Sequence, residues 1–208
     1  MTTLADTLRP AFARAGSSAG EAARWARIRS FAYDALLVLA GSALMAASAR
    51  VAFPLPFSPV PVTGQTFAVL LVGALLGSRR GAASALSYLA EGAAGFPVFA
   101  GGAAGPQALM GPTGGYLMGF VLGAWLCGAL SERGWDRRAV TTVLSMILGN
   151  IAIFAVGIPW LAGFVGAERV LALGLVPFIA GDVLKIGLAA VVLPLAWKWI
   201  GDTAGSSR

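Results

Sequence analysis

The segment from Val51 to Ser78 contains no charged residue, and Phe31 to Ala49 carries only Asp34. Apolar runs of roughly 20 residues satisfy their backbone in hydrocarbon only by closing into helices, so they commit a chain to crossing a bilayer. Such runs recur to the end of the sequence. Hydrophobic residues make up 58% of the 208 and charged ones 12%, against roughly 25% charged in a soluble domain. The expectation is one integral membrane domain, with no room for a second globular module.

Prolines 54, 56, 59 and 61 forbid a helix in the first part of the uncharged segment, so the second helix is predicted from about Thr63 to Gly77. The first helix is predicted over Phe31 to Ala49 and the third over about Gly81 to Gly95, with Glu91 inside it. Phe96 to Thr113 is rich in Gly and Pro and reads as a loop. Helix four is predicted over about Gly114 to Leu130, helix five over Ala139 to Gly157, and helix six over Leu171 to Ile200. Helices two and three are short for a hydrocarbon core of about 30 Å, so tilt or local thinning is expected. Residues 1–30 are expected as a cytoplasmic tail, with Gly16 to Gly20 as a flexible break and helical character around Glu21 to Arg29. Residues 31–200 form the six-helix membrane domain, and residues 201–208 a cytoplasmic C-terminal tail. The first apolar run follows about 30 polar and basic residues, which reads as a spanning helix rather than a cleavable leader.

Charge placement sets the direction. With six spans, Arg9, Arg14, Arg24, Arg27, Arg29, Arg79, Arg80, Arg133, Arg137, Arg138, Lys198 and Arg208 all fall on one side. The other side receives only Arg50 and Arg169, and positive charge gathers on the cytoplasmic side of membrane proteins. Both termini are therefore expected in the cytoplasm. The excess of 15 Lys+Arg over 9 Asp+Glu is accounted for by orientation and points to the lipid bilayer rather than to nucleic acid.

Within "PFIAGDVLKIGLAAVVLPLAW", Asp182 and Lys185 interrupt an otherwise apolar helix six. At a spacing of i, i+3 they share one face. A charge in hydrocarbon costs at least about 2.5 kcal/mol on the most lenient scale. Two readings stand: a structural ion pair, or a pair that faces a cavity and binds a polar ligand. A carboxylate accepts from N–H groups and an ammonium donates to carbonyl or carboxylate oxygen, so a site with both suits a small molecule bearing both kinds of group. Helix six runs inward, which puts the pair nearer the outer face, beneath the uncharged, irregular loops at Pro54 to Pro61 and Phe96 to Thr113. The arrangement describes a pocket with a cover.

In "GPTGGYLMGFVLG", Gly115, Gly119 and Gly123 recur every four residues and form a stripe for close helix packing. Pro112 and Thr113 mark the start of helix four, where free N–H groups favour an anionic group, and Tyr116 supplies a hydroxyl or an aromatic wall. Glu91 has three open roles: a proton-linked carboxylate, a ligand group, or a neutral acid bonded to a neighbouring helix. Asp34, close to the basic boundary, is expected to pair with arginines. Ala43 and Ala47 give helix one a smooth face for another helix.

Several chemistries are excluded by composition. The chain has no His, and its one Cys, Cys127, sits among apolar neighbours as a small buried hydrophobe. Neither Lys185 nor Lys198 belongs to a G-x-x-x-x-G-K-[ST] sequence, so nothing points to ATP hydrolysis by this chain. No nucleophile–base pair or metal-ligand cluster is visible, and no enzymatic activity is expected. A proton- or sodium-coupled secondary transporter of a small vitamin-like solute is the alternative reading, against which stands the lack of an inverted repeat.

Four segments together carry a specific resemblance: "PVPVTGQTFAVLLVGALLGSRRGAASALSYLAEGAAGFPVFAGG", "GPTGGYLMGF", "GIPWLA" and "PFIAGDVLKIGLAA". In order and spacing, from about residue 35 to residue 197, they resemble the BioY proteins. These are the biotin-specific substrate-binding (S) components of energy-coupling factor transporters. The resemblance implies an all-α S-component fold of six transmembrane helices and an outward-opening biotin pocket in a multi-pass protein of the bacterial cytoplasmic membrane. It implies a transmembrane coupling protein (T component) and two ABC-type ATPases as partners, and no cofactor, biotin being the transported ligand. It carries Asp182 and Lys185 over as ligand contacts: Asp182 accepts from the ureido N–H groups, and Lys185 donates to the ureido carbonyl or the carboxylate. Phe99, Tyr116 and Phe178 are candidates for the walls around the bicyclic ring, with Thr113 beside them. Ala43 and Ala47 resemble the small-residue surface that docks on the coupling protein. Family members differ at the position of Glu91, so the resemblance assigns it no role.

Overall fold

The computed structural model describes residues 3–7 and 19–205. After a single short turn, α1 (Leu4–Thr7), the chain forms α2 (Ala19–Ser48), a hairpin of β1 (Ala52–Leu55) and β2 (Ser58–Thr63), α3 (Gln65–Leu76) and α4 (Ser78–Ala93). Then follow α5 (Pro106–Met110), α6 (Gly114–Ser131), α7 (Ala139–Val165), α8 (Val170–Gly174) and α9 (Val176–Gly205). Four helical segments are long and apolar enough to cross a membrane: Arg24–Ser48, Gly114–Ser131, Ala139–Val165 and Val170–Trp199. The two shorter helices, α3 and α4, have 12 and 16 residues, or about 18 and 24 Å at 1.5 Å per residue.

Helix α6 sits at the centre, packed on α7, α3 and α4, while α2 flanks α4 and α9 flanks α7. Its small residues make that position possible. A Cβ at Gly119 would lie 2.7 Å from the Ile153 carbonyl oxygen, and one at Gly123 would lie 2.8 Å from the Ile153 side chain. The glycine stripe therefore serves the α6–α7 contact, as its spacing predicts. Cys127 is fully buried in the same layer and donates its S–H to the Ser145 carbonyl.

Five sequence-based readings need correction. Helix one begins at Ala19 rather than Phe31, so Gly20 is helical; residues 16–18 of the expected break, with Arg9, Arg14 and Arg208, lie outside the described residues. The Pro54–Pro61 segment is a hairpin rather than an irregular loop. Its paired residues are Ala52 with Thr63, Phe53 with Val62 and Leu55 with Ser58, so none of the four prolines occupies a paired position. A two-stranded ribbon has free edges on both sides, where a missing N–H costs nothing. Helix α7 runs through Pro159 to Val165 instead of ending at Gly157. Gly157 marks a packing contact, because a Cβ there would lie 2.5 Å from the Tyr116 ring. Finally, the sixth helix is split at Leu175 into α8 and α9, and the Phe96–Thr113 loop includes a helical turn at Ala100–Gly102 as well as α5.

Side-chain contacts define two ends of the bundle. At one, Arg80 at the start of α4 binds Asp6 at 2.8 Å and Asp34 of α2 at 2.9 Å, the arginine pairing expected for Asp34. Glu132, just after α6, accepts from Ser78 at 2.8 Å. Trp197 of α9 donates to Asp136, and Arg137 lies over the Trp197 ring at 4.5 Å. At the other end, Arg50 after α2 donates to the Pro97 carbonyl after α4 at 2.7 Å, and Ser58 of the hairpin donates to the Leu173 carbonyl at 2.8 Å. Arg80 and Arg137, two of the twelve basic residues that the alternation of charge assigns to one side, thus lie at the first end.

Candidate binding site

A cavity of about 220 Å³ opens beneath the hairpin end. Its upper wall comes from Pro59, Val60 and Pro61 of β2 and from Phe99, Ala100 and Ala103 of the loop after α4. Its sides come from the first turns of three helices: Gln65 and Thr66 of α3, Thr113, Tyr116 and Leu117 of α6, and Phe178 of α9. Phe120 and Phe154 close it below. Helix starts converge here because both the hairpin and the loop deliver the chain back into the bundle at this end. Most of the surface is apolar, with hydroxyl and amide groups at a few points, the composition of a small-molecule site.

Three rings form one wall. Tyr116 and Phe178 stack with centroids 6.2 Å apart and 26° between planes, and Phe154 meets Tyr116 edge-on at 6.1 Å. The Tyr116 hydroxyl donates to the Gly174 carbonyl at 2.8 Å, which locks the ring as a wall instead of leaving its oxygen for a ligand. Phe99 enters from the opposite side. It is 2% exposed, lies edge-on to Tyr88 at 5.3 Å, and fits against Gly92, where a Cβ would overlap its ring. At the bottom of the same loop, Trp160 donates to the Gly111 carbonyl at 2.9 Å and pins the turn that launches α6.

Asp182 and Lys185 sit beside this cavity and are not part of its wall. Lys185 Nζ lies 3.2 Å from Asp182 Oδ1 and donates to Thr66 Oγ1 at 2.8 Å; Thr66 Oγ1 in turn lies 3.4 Å from Asp182 Oδ1. Thr66 does line the cavity, so the polar triangle reaches it through one hydroxyl. On the far side of Lys185 is a void of about 10 Å³, lined also by Thr66, Asn150 and Ile186. That is the size of one water. The Asn150 side-chain oxygen is buried beside it without a hydrogen-bond partner.

Four of the predicted ligand-contact residues, Thr113, Tyr116, Phe99 and Phe178, thus converge on one cavity, with Asp182 and Lys185 behind Thr66. Ala43 and Ala47 do not line it and are exposed on α2. Glu91 faces the same helix from α4 and accepts a 2.7 Å hydrogen bond from Ser42, the interhelical bond among its three open roles. Sequence reasoning missed Gln65, Thr66, Asn150 and Phe154. Gln65 and Thr66 directly follow the proline-rich segment at a helix start, a signal like the one that singled out Thr113. Asn150 and Phe154 lie within an apolar run and carry no such signal. Among the described residues no group of His, Cys, Asp and Glu forms a metal site.

A polytopic helical membrane protein with a small-molecule cavity under two covers fits the class of membrane proteins that handle small solutes, and relatives narrow it. The BioY family profile matches residues 20–202, and this chain belongs to that family. It is 38% identical over 159 residues to the biotin transporter BioY of Thermotoga maritima, covering 75% of this chain and 92% of the relative. To the probable biotin transporter BioY of Pyrococcus horikoshii it is 38% identical over 134 residues, or 64% and 78% of the two chains. The crystal structure of the S-component for biotin from an ECF-type ABC transporter superposes with a TM-score of 0.71 at 24% identity, covering 88% of this chain and 95% of that one. The shared architecture is thus the S-component fold.

Proposed function

We propose that this chain is the biotin-capturing S component of an energy-coupling factor transporter in a bacterial cytoplasmic membrane. The observation that carries the reading is the cavity between hairpin and loop, backed by a buried Asp182–Lys185 pair, in a chain of the BioY family. The spans are α2, α3, α4, α6, α7 and α9, with the basic end and both tails, residues 1–30 and 201–208, in the cytoplasm. The covered cavity then opens outward. Tyr116, Phe178 and Phe99 sandwich the apolar bicyclic ring, with Thr113 at the helix start beside it. Thr66 leads the ureido group to Asp182, which accepts from N–H, and to Lys185, which donates to the ligand's oxygen. Binding the ligand replaces the internal Lys185–Thr66 and Asp182–Thr66 contacts, so the site's charges are never left unpaired. Energy comes from a T component and two ABC-type ATPases, with Ala43 and Ala47 on the exposed face of α2 as the docking surface.

Titration of the purified protein with biotin by calorimetry tests the reading. Tight binding is expected in the wild type and its loss in Asp182→Asn and Lys185→Ala. Absence of binding to folded wild-type protein would sink the biotin assignment.

A further inference from the structure

A second cavity, of about 250 Å³, lies further out between the hairpin and the loop after α4. It shares Pro59, Pro61 and Ala100 with the inner cavity, so these three residues form a partition between an outer vestibule and the candidate binding site. Two of the three belong to β2 and the third to the loop. Opening the partition requires the loop to move away from the hairpin.

A polar chain helps hold that loop, beside the Gly105 N–H bond to the Gly92 carbonyl at 2.7 Å. Thr63, the last residue of β2, donates to the Gln65 side-chain oxygen at 3.1 Å. The Gln65 amide donates to the Tyr88 hydroxyl at 2.5 Å, and Tyr88 donates to the Val98 carbonyl at 3.0 Å. Val98 is two residues from the partition at Ala100. Tyr88 is fully buried and Gln65 is 4% exposed, so the bond between them is shielded from water, while the bonds at Thr63 and Val98 are part-buried. The neighbouring carbonyl, Pro97, is held only by Arg50 in an exposed bond. Gln65 is also part of the inner cavity wall, which ties the far end of the chain to the cavity's contents.

We propose that Gln65 and Tyr88 are the latch of an entry gate: they hold the Val98–Ala103 segment against the hairpin and so set how fast solute passes from vestibule to cavity. Both are positioning residues, acting through the loop. The proposal rests on the reading that the inner cavity receives biotin, and its test separates the two.

Hydrogen exchange of residues 96–105 in wild type and Tyr88→Phe, without biotin, reads the latch alone. The variant keeps the ring contact with Phe99 and loses the hydroxyl, and faster exchange in that segment is expected. Rapid filtration with labelled biotin then reads the gate. Tyr88→Phe removes both hydroxyl bonds, and losing the one to Val98 that holds the loop should raise both association and dissociation rates by roughly fivefold, with Kd changing less than either rate. Gln65→Met should act in the same direction by a smaller factor, since Tyr88 still reaches Val98; it serves as the probe if Tyr88→Phe does not fold. Unchanged exchange and rates overturn the latch. So does weaker affinity with unchanged exchange, which a residue of ordinary packing would give. Wild-type protein that binds no biotin refutes the biotin reading instead, and the exchange comparison still decides the latch.

Discussion

The two ends of the bundle use the same charged groups in opposite ways. At the basic end, Arg80 is 17% exposed and its partners are only partly covered, with side-chain exposures of 33% for Asp6 and 38% for Asp34. At the cavity end, Asp182 and Lys185 are 9% and 19% exposed, three residues apart on a helix whose neighbours Val183 and Leu184 face outward. An exposed pair contributes about 0–1 kcal/mol and costs little to form. A buried pair must offset the desolvation of both charges and is often no better than two apolar residues of similar size. The difference teaches where to look for function: charges at the basic end answer to orientation and local pairing, whereas the cavity-end pair persists where stability alone does not require it.

The sharpest way to break this contrast is to replace the buried pair outright. Asp182→Leu with Lys185→Met should give a protein that melts in detergent at or above the wild-type temperature, because the desolvation cost disappears. Biotin binding should fall on the order of a hundredfold or more, the loss of charge-assisted hydrogen bonds. A strong drop in melting temperature with retained binding would make the pair structural and dissolve the comparison.

A medium effect is expected from the wall. Phe178→Ala removes one ring of the stack with Tyr116 and should weaken biotin binding by roughly tenfold, from lost ring contact and apolar burial. Loss of binding no larger than for an exposed residue such as Leu184→Ala would remove the aromatic wall from the site.

The smallest effect belongs to the basic end. Burial pushes the Asp6 carboxyl up, but hydrogen bonds from Arg80 and Thr3 override it and hold the group below its ordinary value of 3.8. A depressed value in the folded state gives stability that is present above pH about 4 and is lost as pH falls through the folded value. Melting temperatures of wild type and Asp6→Asn should therefore differ slightly at neutral pH and converge below pH about 4. Biotin affinity should not follow this change. If it did, the two ends would be coupled and their separation wrong.

Much of this was legible in the residues. Long apolar runs and their flanking arginines gave the bundle, the gathering of charge at one end, and the expectation that Asp34 pairs there. The glycine stripe of α6 announced its close contact with α7, because spacing by four is a property of the helix itself. The proline-rich segment was rightly denied a helix, but its hairpin was not foreseen. A proline's cost depends on whether a neighbour wants the missing N–H, and the free edges of the hairpin are not visible in sequence. Gly157, placed at the predicted end of helix five, proved to be room for Tyr116 inside it, since a glycine's reason lies in what stands against it.

Sequence by itself determined that the chain lives in a bilayer, how its segments alternate, and that Asp182 and Lys185 share one face with unusual chemistry. These follow from local quantities: transfer cost per residue, helical period and backbone covalency. Only the tertiary structure decided that Thr66 stands between the pair and the cavity, that Tyr116 spends its hydroxyl on Gly174, and that Gln65 and Tyr88 reach across to the loop. Contacts between residues 10 to 119 positions apart depend on how helices and loops settle against one another, and no local property of the chain encodes that distance.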